Sequence, residues 1–161
     1  MNDKPHLAKM RRLMREALLE AEKALEEGEF PVGTLIVKDG NIIARDHNRK
    51  EQTGDPTAHG EILVIRKAAS LLKDWRLSGC ELYTTAEPCP MCMGAVMQTR
   101  LSKLVYGAAE KRFGAVETTA QLAHHPMLSN HIEIYPGILE SECEAVMRQC
   151  FCRPAQESQH R

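Results

Sequence analysis

No apolar run in this sequence approaches the ~20 residues that a helix needs to cross a bilayer, so a membrane-spanning helix is excluded. The first residues are charged and helix-forming rather than signal-like, and a cytoplasmic protein is the expectation. Aromatic side chains make up only 4% of the 161 residues, with three Phe, three Tyr and one Trp. Aliphatic side chains and methionine therefore have to fill most of the core. Net charge is also missing: it is −1 at pH 7, which excludes whole-molecule attraction to a polyanion. Any RNA contact has to come from local basic groups. The candidates are Lys9, Arg11, Arg12 and Arg15, then Arg49 and Lys50, then Lys111 and Arg112; each otherwise reads as a solvated surface charge. Internal repeats, low-complexity stretches and linkers are absent.

What is present describes an ordered protein. Apolar residues account for 43% and charged residues for 27%, and the length fits one domain. We read residues 1–153 as that domain and 154–161 as a polar, flexible tail. Six cysteines could form three bridges, but in a chain of this length without an export signal metal binding or free thiols are favoured.

Apolar residues at helical spacing from Leu7 to Ala21 predict an amphipathic helix over about 6–27, closed by Gly28. A strand over 30–37 and another over 42–45 flank Lys38-Asp39-Gly40-Asn41, a strong hairpin turn, so these two strands should be antiparallel. A polar loop over 46–57 should lead into a helix over 58–72 with Ile62, Ile65, Ala69 and Leu72 on one face. Then come a strand (81–85), a helix opened by Pro88 and reaching Thr99, a strand (101–106), a long loop, a last strand (131–135) and a helix over 139–151. Ser141 and Glu144 are spaced as its capping box. Strands that alternate with helices imply an α/β protein with helices on both faces of one sheet.

Two segments carry chemistry: Thr57-Ala58-His59-Gly60-Glu61 and Glu87-Pro88-Cys89-Pro90-Met91-Cys92, each at a helix start. Cys89 and Cys92 are three apart and share one helical face in the first turn, where free N–H groups and the dipole favour thiolates. With His59 they form an N, S, S donor set suited to zinc. Three protein ligands leave the fourth corner to water, which is the arrangement of a catalytic rather than a structural zinc. Glu61 is the carboxylate that can take a proton from that water and deliver it to a leaving amine. On a regular helix His59 and Glu61 point about 200° apart, so both can serve one metal only if it lies beyond the helix N-terminus. Either motif alone is weak; together, in this order, they match the signature of zinc deaminases.

At these residues the sequence resembles the zinc-dependent cytidine/adenosine deaminase superfamily, and within it the bacterial tRNA adenosine deaminases. Phe30-Pro31-Val32-Gly33, His47-Asn48-Arg49, Val105-Tyr106-Gly107-Ala108, His124-His125-Pro126 and Gly137-Ile138-Leu139 extend the similarity across nearly the whole chain. The resemblance implies a three-layer α/β/α fold around a mixed five-stranded sheet, a bound Zn2+ and a homodimer. It also implies substrate contacts from Asn48, Ala58, Glu61, Pro88 and Phe151, with a backbone amide near Cys89 assisting. The implied activity is conversion of adenosine to inosine in a tRNA anticodon loop. Gly60, Ala86, Glu110 and Cys150 depart from the residues commoner in that branch, and Tyr83-Thr84-Thr85 resembles free-base deaminases about as well. Two alternatives stay open: a deaminase of a free base or nucleoside, and a non-catalytic zinc-stabilised partner subunit. The adjacent His124 and His125 read as loop residues rather than a second metal site, Cys80, Cys143, Cys150 and Cys152 as reduced thiols, and Trp75 as a surface anchor.

Overall fold

A computed structural model describes residues 4–126 and 132–152. The elements are α1 (Lys4–Glu26), β1 (Gly33–Lys38), β2 (Asn41–His47), the one-turn α2 (Lys50–Thr53), α3 (Gly60–Leu72), β3 (Cys80–Ala86), α4 (Pro90–Gln98), β4 (Lys103–Ala108), β5 (Glu133–Tyr135) and α5 (Glu140–Phe151). A 3₁₀ turn, Leu122–His124, interrupts the long loop after β4. The expected tail, 154–161, and the start of the predicted last strand at residue 131 lie outside the described residues.

The five strands form one mixed sheet in the order β2-β1-β3-β4-β5. β1 pairs antiparallel with both β2 and β3, while β3–β4 and β4–β5 are parallel. Asp39 (φ 50°) and Gly40 (φ 79°) both sit in the left-handed region, so the hairpin closes through the primed turn whose twist matches its strands. Alternation along the strands feeds two cores. Leu35, Val37, Tyr83 and Val105 pack against Leu13, Met14 and Ala17 of α1 and Cys143 and Val146 of α5. Ile36, Leu82, Leu104 and Tyr106 face Val64 and Ala68 of α3 and Met93 and Val96 of α4. The result is the expected α/β/α arrangement, with every central strand buried on both faces.

Four local expectations are corrected. β2 runs on to His47 and α2 forms inside the supposed polar loop, ended by Gly54 at φ 64°. The inward face of α3 is Gly60, Glu61, Val64 and Ala68, with Ile65, Ala69 and Leu72 flanking it, because the helix turns its first residues toward the sheet end. α4 opens at Pro90 with Cys89 as its N-cap, and Pro88 stays outside. Finally, α5 begins at Glu140, after Leu139 at φ 54°. That places Ser141 within the first turn, where it cannot be the capping box's N-cap, and no side chain caps the helix.

Candidate active site

β3 ends at Ala86, and the chain from its carboxyl end leads to the N-terminus of α4; the N-terminus of α3 lies beside it. This is the edge of a parallel strand pair where open α/β sheets place ligands. His59 is the N-cap of α3 and Cys89 the N-cap of α4, both in extended conformation. The 200° problem is thereby resolved: His59 precedes the helix, so its ring and the Glu61 side chain converge off the helix end.

The His59 Nδ1 atom lies 3.6 Å from Cys89 Sγ and 3.5 Å from Cys92 Sγ. Bond lengths of about 2.3 Å to sulfur and about 2.05 Å to nitrogen at tetrahedral angles put N and S roughly 3.6 Å apart. The donor set thus has both the chemistry and the spacing of a zinc site. Among the described residues it is the one group of His, Cys, Asp and Glu side chains with such spacing. The Cys89 thiol pKa is pulled down to about 4, first by the hydrogen bond from Cys92 and then by His59, against the opposing effect of burial. Cys92 moves the other way, its pKa pushed up by the bond to Cys89, by burial and by Glu61. The hydrogen bond to Cys89 raises the His59 pKa.

Glu61 is 4% exposed, and burial raises its pKa above the usual carboxylate range. Its Oε2 lies 3.6 Å from Cys92 Sγ, and its Oε1 accepts a 3.3 Å hydrogen bond from the buried Thr84 hydroxyl on β3. Asn48, also buried, accepts the Gly60 N–H through Oδ1 at 2.9 Å, which leaves Nδ2 as the donor it can offer a ligand.

Above these groups lies a cavity of about 310 Å³. Its floor is His59, Glu61, Cys89 and Ala86, with Asn48 and Val32 at one side. Its mouth carries Lys50, Arg112, Phe30, Phe113 and Phe151. The three phenylalanines of the chain are therefore all at one opening, with Phe113 59% and Phe151 80% exposed. Phe30 and Phe151 meet edge to face at 6.3 Å between centroids.

Of the residues singled out in sequence, His59, Glu61, Cys89, Asn48 and Phe151 line this cavity, and Cys92 completes the donor cluster. Ala58 and Pro88 do not line it. The Ala58 carbonyl accepts the Arg49 N–H at 2.9 Å, and the Pro88 carbonyl accepts the Ala115 N–H at 2.9 Å. Lys50 and Arg112, named from sequence among the candidate RNA contacts, line the cavity too, whereas Phe113 carried no site signal and Phe30 and Thr84 entered only through segments that resemble the family. Aromatic scarcity was the available clue: three rings of one kind in a chain this poor in aromatics invite the question of where they gather. His124 is exposed and 3.6 Å from Glu117, and Trp75 is a surface ring under the Arg76 guanidinium. The four cysteines outside the cluster are free. On α4, Met93 is buried in the sheet core, Met97 packs at its margin, and Met91 is exposed.

Residues 7–108 match the family model for the cytidine and deoxycytidylate deaminase zinc-binding region. The chain belongs to this deaminase family. Among individual relatives, the deaminase is 44% identical over 138 residues to the tRNA-specific adenosine deaminase of Bacillus subtilis (strain 168), covering 86% of each chain. A structure from studies of A-to-I editing by tRNA:A34 deaminases at the wobble position superposes with a TM-score of 0.80 at 42% identity, over 83% of this deaminase and 96% of that chain. The guanine deaminase of Nitrosomonas europaea is more distant, at 26% identity and a TM-score of 0.74 over 87% and 83% of the two chains.

Proposed function

We propose that this deaminase hydrolyses adenosine to inosine within a tRNA anticodon loop, using zinc held by His59, Cys89 and Cys92. The carrying observation is the donor triangle at tetrahedral spacing with a buried carboxylate beside it. Zinc held there would lower the pKa of water toward about 7, which would make hydroxide accessible at neutral pH. Glu61 is the proton carrier: the carboxylate accepts the proton water gives up and then delivers it to the departing amino group, which leaves as ammonia. Thr84 holds Oε1 of that carboxylate, and Oε2, which accepts from Cys92 Sγ at 3.6 Å, is the oxygen on the side of the donor cluster. Asn48, pinned by Gly60, presents its amide N–H groups to the nucleoside.

An anticodon nucleotide is supported by the mouth and by the relatives. A floor that admits one base beneath exposed Phe and cationic side chains suits a nucleotide extruded from a loop, with neighbouring bases stacked on the rings and phosphates near Lys50 and Arg112. The tRNA-specific relative is 44% identical. A free-base deaminase is the second reading, favoured by the likeness to a guanine deaminase. The presence of Glu61 argues against a non-catalytic subunit. A homodimer in the cytoplasm goes with the first reading; the exposed Met91 on α4 supplies apolar surface for it, and sedimentation of the zinc-loaded protein tests it.

The test is inosine formation on an anticodon stem-loop beside guanine, cytosine and adenine as free bases. Turnover of the stem-loop, lost in Glu61→Ala with zinc retained, is the expected result. Fast turnover of a free base and none of RNA would transfer the assignment to the second reading.

A further inference from the structure

Glu87 is an acid in the zinc-site segment that the chemistry above does not use. It is 3% exposed, follows the last residue of β3, borders the cavity and reaches with its carboxylate into the loop between β4 and the 3₁₀ turn. Its Oε1 accepts three consecutive backbone N–H groups, from Val116 at 3.1 Å, Glu117 at 2.9 Å and Thr118 at 3.0 Å. Its Oε2 accepts the Glu110 N–H at 3.1 Å and the Thr118 hydroxyl. Successive N–H groups turned onto one anion form a concave nest, and hydrogen bonds to a charged acceptor are roughly twice as strong as neutral ones. The loop closes tightly on the carboxylate: a Cβ at Gly114 would run into Glu87 Oε2 and the Glu110 carbonyl oxygen, so only glycine fits there.

Ala115 and Val116 anchor one half of the loop in the core beneath the sheet. The other half has no such foot. Residues 110–114 carry Glu110, Arg112 and Phe113, which line the cavity mouth, and Phe113 is 59% exposed. Their backbone is held by the Glu110 N–H on Glu87, by the Gly114 N–H on the Glu110 carbonyl and by the Thr119 hydroxyl on the Lys111 carbonyl.

We propose that Glu87 is the positioning residue of the cavity mouth: its carboxylate gathers residues 110–118 and so sets where Arg112 and Phe113 meet the substrate. Its neighbour two residues on, Cys89, belongs to the donor cluster, so one short segment ties the chemical floor to the recognition loop. The proposal rests on the tRNA reading for the substrate, but not for the loop itself.

The experiment uses the zinc-loaded, full-length protein and the isosteric Glu87→Gln. One amide oxygen can still serve the nest at 116–118, but the NH2 group then faces the Glu110 N–H, donor against donor. Amide hydrogen exchange should quicken about tenfold or more across 110–114, with β3 and β4 unchanged and zinc content unchanged. On the anticodon stem-loop KM should rise several-fold while kcat stays within about twofold. Thr118→Val, which deletes only the hydroxyl donor, should shift both readouts the same way by less, and it stands in if Glu87→Gln does not fold. Unchanged loop exchange overturns the proposal, as does faster exchange with an unchanged KM, or a fall in kcat alone. If wild-type protein turns over no RNA, the substrate reading fails separately; exchange, together with KM for the free base that it does turn over, then decides the role of Glu87.

Discussion

The floor and the mouth of the cavity are built on different principles. The floor stands on regular structure: His59 and Cys89 cap two helices, Glu61 lies in a first helical turn, and Thr84 belongs to a central strand buried on both faces. The mouth is assembled from residues before β1, at α2, in the loop after β4 and near the end of α5. On the floor Glu61 is buried and His59 and Cys89 half-buried, with the Glu61 pKa raised by burial and that of Cys89 lowered by its neighbours; the mouth is aromatic and cationic, with Arg112, Phe113 and Phe151 exposed. Reaction chemistry needs positions held to a fraction of an ångström, which helices and strands provide. Substrate recognition tolerates loops, because stacking and phosphate contacts vary gently with distance.

Disturbing the floor should act on chemistry and disturbing the mouth on binding. The largest effect is expected from the ligands. Cys89→Ala should lower zinc content to background and abolish turnover, and metal analysis of the purified variant beside its activity checks both. A variant that keeps full zinc would remove Cys89 from the donor set. Next comes Glu61→Gln, which keeps the shape but cannot carry the proton. Loss of general acid–base catalysis should lower kcat by about 10²–10⁴-fold with zinc retained. Undiminished ammonia release would end the assignment of Glu61 as proton carrier.

The mouth should respond differently. Phe151→Ala removes one stacking face, worth about 1–3 kcal/mol per base in single-strand binding, or roughly 5- to 150-fold in KM for the stem-loop. The same substitution should barely change turnover of a small purine, and equal losses on both substrates would show that Phe151 supports the fold rather than the RNA.

The same contrast explains what was legible in the sequence. His59, Glu61, Cys89 and Cys92 lie within two short segments whose spacing is itself the geometry, so the donor set could be read off locally. The hairpin announced itself through Asp39-Gly40, because few residues adopt φ above zero. The mouth joins Phe30, Lys50, Phe113 and Phe151, separated by up to 121 residues, and only the folded sheet brings them together. Glu87 was read as part of a metal motif, but its partners at 110–118 are more than twenty positions away. The false capping box at Ser141 shows the converse: a correct local spacing was overruled by the positive φ at Gly137 and Leu139, which sets where α5 can begin.

The smallest predicted effect is the sharpest test of the boundary between the two regions. The Thr84 hydroxyl has one proton and two acceptors, Glu61 Oε1 at 3.3 Å and the Ala86 carbonyl at 3.2 Å, so its bond to the carboxylate is shared and modest. A net hydrogen bond of about 0.5–1.5 kcal/mol corresponds to roughly two- to tenfold in rate, and Thr84→Val, nearly isosteric, should lower kcat toward the small end of that range. Thr84→Ser keeps the hydroxyl and should restore kcat even if the lost methyl group lowers stability. Because Thr84 lies on the floor, KM for the stem-loop should stay where it is in both variants. A rise in KM with kcat intact would mean that Glu61 and Thr84 together shape binding of the base, and the line between chemistry and recognition would then run through the floor rather than above it.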